Sequence, residues 1–166
     1  MRSHAVAGAA LALALIAGCG VGPASEVGAD GELQADHVVA GRSLHLLDGP
    51  AVATYCSNDS LVTVVAVGRN GSVGLAVRTT LPLDHPKRVP VSPALAESSS
   101  AAVAVRLKSG AARIGASGWI RLEGSAAISG EFDVALPDSA GSRPRLTGRL
   151  SRISVRTGPR AACNAI

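Results

Sequence analysis

Apolar and polar residues alternate with a period of two through most of this chain, and that alternation predicts strands. Over Ser72 to Thr79, Val73, Leu75 and Val77 fall on one face, with Gly74, Ala76 and Arg78 on the other. Just upstream, Leu61 to Val67 is a β-branched apolar run. Arg69-Asn70-Gly71 lies between the two, and Asn-Gly between apolar strands is the strongest short signal for a hairpin. Earlier still, Arg42 to Leu47 and Ala51 to Cys56 flank Asp48-Gly49-Pro50, which reads as a turn cluster.

The second half repeats the pattern. Val103, Val105 and Leu107 share a face opposite Ala104 and Arg106. Ile114, Ala116, Gly118, Ile120 and Leu122 then oppose Arg113, Ser117, Trp119, Arg121 and Glu123. After Gly124-Ser125, Ile128, Gly130, Phe132, Val134 and Leu136 are set against Ser129, Glu131, Asp133 and Ala135. Three such segments in succession argue for an antiparallel meander with one face buried.

Two stretches depart from this rule. Leu81 to Ser100 carries Pro82, Pro86, Pro90 and Pro93, which argue against a central strand and for a long irregular loop. From Leu146 to Val155, the apolar positions Leu146, Leu150 and Ile153 suit a helix as well as a strand. Arginines at 145, 149, 152 and 156 also recur every three or four residues. Gly148, the β-branched and hydroxyl residues, and flanking Pro144 and Pro159 favour a strand with a bulge near Ser151, where the parity slips. The expected fold is therefore all-β, with about eight mostly antiparallel strands in a small barrel or a two-sheet sandwich.

The start of the chain follows a different pattern. Arg2 precedes a weakly polar to apolar run from Ala5 to Ala17, and Gly18-Cys19-Gly20 follows. A charged start, a short apolar run and small residues at a cut describe a secretory signal, too short to span a bilayer. Ile16-Ala17-Gly18-Cys19 resembles the lipobox of bacterial lipoproteins. The resemblance implies cleavage between Gly18 and Cys19, a diacylglycerol on the Cys19 thiol and a fatty acyl group such as palmitate on its new amino group. It covers only leader and anchor, and it implies a protein held to the cell envelope by lipid. Where there are two membranes, the outer one is expected, since Gly20 lacks the aspartate that retains many enterobacterial lipoproteins at the inner membrane. Gly20 to Asp36, rich in Gly and small residues, reads as a tether. The organisation is then a signal peptide over 1–18, a lipidated cysteine and tether over 19–36, and one β-domain over 37–166.

Composition refines this picture. Loss of residues 1–18 leaves 148 residues, enough for one core, and lowers the formal charge from +4 to +3. That mild excess gives no reason to invoke nucleic acid. Tyr55, Trp119 and Phe132 are the only aromatic residues, so aliphatic side chains must build the core, and a sugar platform of several rings is disfavoured. With Cys19 lipidated, Cys56 and Cys163 remain. In an oxidising compartment they most simply form a disulfide; free thiols, or redox or metal chemistry, are the alternatives, although Cys-x-x-Cys is absent.

Candidate chemistry is sparse. No Gly-x-Ser-x-Gly elbow presents a nucleophile, so catalysis is not expected. His37, His45 and His85 are not spaced as metal ligands, and Glu131, Asp133 and Asp138 lack calcium-loop spacing, so neither metal nor cofactor is expected. From Ser142 to Ile166 there are six arginines and no carboxylate. On a strand, Arg143, Arg145 and Arg149 would share a face, as a candidate contact patch for anionic lipid, an acidic envelope component or a protein partner. The competing expectation pairs these arginines across strands with Glu123, Glu131 and Asp133. The function expected is a non-catalytic binding or structural module. The alternatives are a barrel-type carrier of a small apolar ligand, or an enzyme without a recognisable motif.

Overall fold

The computed structural model describes residues 31–95, 99–108, 110–137 and 142–158. The signal segment, Cys19, most of the tether and Cys163 lie outside the described residues.

Ten strands form one sheet: β1 (Glu32–Val39), β2 (Arg42–Cys56), β3 (Leu61–Val67), β4 (Gly71–Arg78), β5 (Leu83–Val91), β6 (Ala101–Leu107), β7 (Ala112–Ile114), β8 (Ser117–Gly124), β9 (Ala127–Ala135) and β10 (Arg145–Thr157). The order β4-β3-β2-β1-β10-β9-β8-β5-β6 closes on itself through a β4–β6 pairing. The result is a nine-stranded barrel, with β7 as a tenth strand on β6. Most neighbours run antiparallel; β5–β6 and β10–β2 are short parallel contacts. Closure leaves fewer free sheet edges than a sandwich would; those that remain are the outer side of β7 and most of one side of β5.

The hairpin at Asn70-Gly71 forms as the sequence predicts, with Leu61 to Val67 paired to Arg78 to Ser72. The meander of β8 to β10 also forms, and residues 145–157 are strand rather than helix. Between Leu150 and Ile153 the β9–β10 register shifts, and Arg152 adopts a left-handed φ of 49°. The added residue leaves Arg149, Ser151 and Arg152 all exposed while Leu150 and Ile153 stay buried. The bulge thus produces the three-to-four spacing of arginines that imitates a helix.

Four expectations are corrected. Asp48-Gly49-Pro50 is not a turn: β2 runs through it for 15 residues. Pro50 is tolerated because β2 changes partners there, β1 pairing up to Pro50 and β3 only from Ala51. Leu81 to Ser100 is not an irregular loop throughout, since β5 occupies Leu83–Val91. Along its second edge β5 meets β6 at a single pair, Val91 with Ala101, so the missing proline N–H groups remove almost no ladder bonds. Pro86 itself lies in the register shift between Leu83 and Lys87. The folded region begins before residue 37, because β1 starts at Glu32 and pairs with both β2 and β10. Leu33, Ala35 and His37 point inward while Glu32 and Gln34 are exposed, a short alternation hidden among acidic residues. Finally, Ala116 and Gly118 are exposed, not buried. The chain kinks at Gly115 between β7 and β8, and alternation resumes at Ile120.

The inward residues form one continuous core drawn from all nine barrel strands, including Leu33, Val64, Leu75, Val103, Ile120, Phe132 and Leu150. Two of its glycines are close approaches, whereas a Cβ at Gly49, in register with Leu33, would meet nothing within 4 Å. A Cβ at Gly148 would lie 2.4 Å from both Phe132 Cζ and the Gln34 carbonyl oxygen. A Cβ at Gly115 would lie 2.5 Å from Val134 Cγ1.

Candidate functional site

Antiparallel register sets the outer face of β5, β8, β9 and β10. One row runs Arg88, Arg121, Glu131, Arg149, Gln34, and the next runs Pro90, Trp119, Asp133, Thr147, Asp36. Neighbouring strands lie about 4.8 Å apart, so side chains in one row touch or nearly touch. Arg88 stacks over the Trp119 ring, 4.4 Å from its centroid. That contact accounts for a tryptophan on a polar face: its ring is covered from the proline-bearing strand.

The candidate patch of Arg143, Arg145 and Arg149 is divided. Arg145 is held by Asp133, with Nε donating to Oδ1 at 2.9 Å and Nη2 2.5 Å from Oδ2. Arg143 lies before β10 with a left-handed φ of 46°. Arg149 stands with a different set of residues, on a groove of about 500 Å³ over β8, β9 and β10. Arg121, Glu123, Ser129, Glu131, Ser151 and Arg152 also line it. Arg121 leans on Glu131 at 3.6 Å, both side chains about half exposed. Arg149 and Arg152 make no ion pair among the described residues. The Arg152 backbone N–H donates to Ser129 Oγ at 3.1 Å, which fixes the bulge against β9. The groove can therefore offer two unneutralised guanidinium groups and two hydroxyls to an anion.

Sequence reasoning singled out Arg149 but missed Arg121 and Arg152 as its companions. Their meeting depends on register across β9 and on the bulge. The only available signal was the parity slip at Ser151.

The histidines occupy separate places. His45 is exposed, with Nδ1 3.0 Å from Asp36 Oδ1. His37 is buried, 7% exposed, inside one end of the barrel between Leu44 and Leu146 in register. Its Nε2 has no hydrogen-bond partner among the described residues. Burial lowers its pKa below the usual 6.5, and the charge of Arg113 lowers it further. His85 lies with Thr79, Asp84 and Lys87 in a shallow recess beside β5, where Lys87 Nζ donates to Thr79 Oγ1 at 3.4 Å. Among the described residues, no three His, Cys, Asp or Glu side chains converge as metal ligands. Cys56 is buried on the outside of the barrel with Leu61, Ala76 and Leu95; its expected partner Cys163 lies outside the described residues. No protein-family model, no curated protein and no solved structure matches this chain.

Proposed function

We propose that this chain is a lipid-anchored cell-envelope protein whose barrel is a non-catalytic binding or structural module that acts through its outer surface. The anchoring half of the reading is supported by the apolar run ending in Ile16-Ala17-Gly18-Cys19. The surface half is carried by one observation, the close packing of the barrel core around Phe132 and Gly148. The Phe132 ring occupies the space over Gly148, and a Cβ at Gly130 would lie 2.1 Å from the Arg121 carbonyl oxygen, whereas a Cβ at Gly49, in register with Leu33, would meet nothing within 4 Å. Close packing around Gly148 and Gly130 supports a surface module over a carrier.

Cys56 and Cys163 are proposed to form a disulfide. Support comes from the path of β10, whose last residues pair with Ala53 to Tyr55, so that Gly158 N–H donates to Tyr55 O at 3.0 Å. Only four residues separate Gly158 from Cys163, and Tyr55 adjoins Cys56. Such a link would contribute roughly 4–5 kcal/mol in the chain-entropy model.

The test is native mass spectrometry of the protein extracted in mild detergent. The expected species is the acylated chain alone. A stoichiometric apolar molecule that stays bound to the barrel would replace this reading with the carrier.

A further inference from the structure

We propose that the groove over β8, β9 and β10 binds the phosphate of an anionic lipid headgroup, so that the barrel docks this face on the membrane its tether reaches. This inference rests on the lipid-anchored reading above. Three observations lead to it.

The groove carries net positive charge that the fold does not neutralise. Three arginines, Arg121, Arg149 and Arg152, face two glutamates, Glu123 and Glu131. Arg121 shares its charge with Glu131, whereas Arg149 and Arg152 have no ion pair among the described residues. Ser129 Oγ accepts from the Arg152 backbone, which leaves its own O–H to donate into the groove beside Ser151. Guanidinium forks with neighbouring hydroxyls match the oxygens of a phosphodiester.

The groove is also an open depression on the outer wall, lined from three adjacent strands. That shape suits a headgroup presented from a surface.

The third observation concerns where the tether leaves the barrel. A Cβ on Gly31 would lie 2.4 Å from Ile153 Cα and 2.5 Å from the Arg152 carbonyl oxygen. The chain therefore enters the barrel against the bulge that presents Arg152. Eleven residues lie between Gly31 and Cys19, and they span at most about 40 Å when fully extended. A short tether that emerges at the rim of the groove keeps these arginines near the headgroups at high effective concentration. A soluble acidic polymer would gain nothing from that placement, so the lipid is the occupant the geometry favours.

Trp119 supplies the probe, as the only tryptophan and two positions from Arg121 on the same strand and face. The full-length acylated protein would be placed in nanodiscs of brominated phosphatidylcholine, with or without phosphatidylglycerol, and Trp119 emission followed. Quenching is expected only when phosphatidylglycerol is present, and it should fall at high salt. Replacing both Arg149→Gln and Arg152→Gln removes two surface charges and should lower the ratio of docked to free barrel by about 30-fold. Arg106→Gln, on the exposed side of β6, should leave it unchanged.

Equal quenching without phosphatidylglycerol would overturn the proposal. So would full quenching in a double variant that keeps the native unfolding midpoint. Stabilisation by inorganic phosphate, or binding of a polyuronate, with no response to anionic lipid would equally overturn it. Failure of the anchoring reading is read separately, from the mass of the N-terminal peptide. If Cys19 is unmodified, co-sedimentation of the same chain with phosphatidylglycerol vesicles still decides the groove.

Discussion

Replacing Phe132 tests whether the barrel interior is a packed core or a ligand chamber. Phe132 is the only phenylalanine, is 2% exposed, and covers Gly148 from inside. Phe132→Ala removes the ring from a site whose neighbours are strand backbones held on both sides, so little collapse can offset the loss. The expected cost is about 3–5 kcal/mol. With a urea slope of about 2 kcal/mol per molar, the midpoint should fall by roughly 2 M. Gly148→Ala meets two obstacles, the Phe132 ring and the Gln34 carbonyl oxygen, each 2.4 Å from the new methyl. Truncating the ring relieves only the first. Combining Gly148→Ala with Phe132→Leu should therefore remain destabilised relative to Phe132→Leu alone, with partial rescue visible as non-additivity. Urea titration followed by Trp119 fluorescence measures the native protein and all four variants. A Phe132→Ala cost below about 1 kcal/mol, well under the range for a packed aromatic, would refute a filled interior and revive the carrier.

Two further outcomes follow from named residues. The pKa of His37 in the folded barrel is lowered from 6.5, by burial first and Arg113 second, so folding favours its neutral form. Its contribution to stability is therefore complete above pH 6.5 and is lost as pH falls through that value, because the unfolded chain then binds a proton that the folded chain does not. The loss levels off below the folded pKa. Unfolding free energies between pH 5 and 7.5 should show this slope in the native protein and less of it in His37→Leu; identical slopes would show that His37 is not the group. Separately, Pro90 keeps a donor off the sparsely paired edge of β5. Pro90→Val restores an N–H there and should promote strand-to-strand association, seen as dimers in light scattering. A variant that stays monomeric at all concentrations would show that the edge is shielded by other means.

How far the sequence could be read depended on whether a feature was local. The Asn70-Gly71 hairpin and the alternation of β8 and β9 were legible because each is written within a few residues. The bulge in β10 was legible too, since Leu150 and Ile153 break parity on the same strand. Pro50, Pro86 and Pro90 misled because their cost depends on which edge of a strand is paired, and that is set by distant partners. β1 was hidden because half of its eight residues are polar or charged, and one of these, His37, takes an inward position where an apolar residue would have marked the strand. The groove was least legible of all. Arg121 and Arg149 are 28 positions apart and meet only because both pair with Glu131. Arg145, by contrast, found the cross-strand carboxylate that the simpler expectation gave it, an exposed pair worth about 0.2–1 kcal/mol.

The proposed anchor on Cys19 would hold the barrel beside a bilayer. The most direct test is mass spectrometry of the N-terminal peptide of the protein purified from membranes. The account predicts that it begins at Cys19 and carries a diacylglycerol on sulfur, with or without a further acyl group on nitrogen. A peptide that begins elsewhere, or an unmodified Cys19, would contradict it.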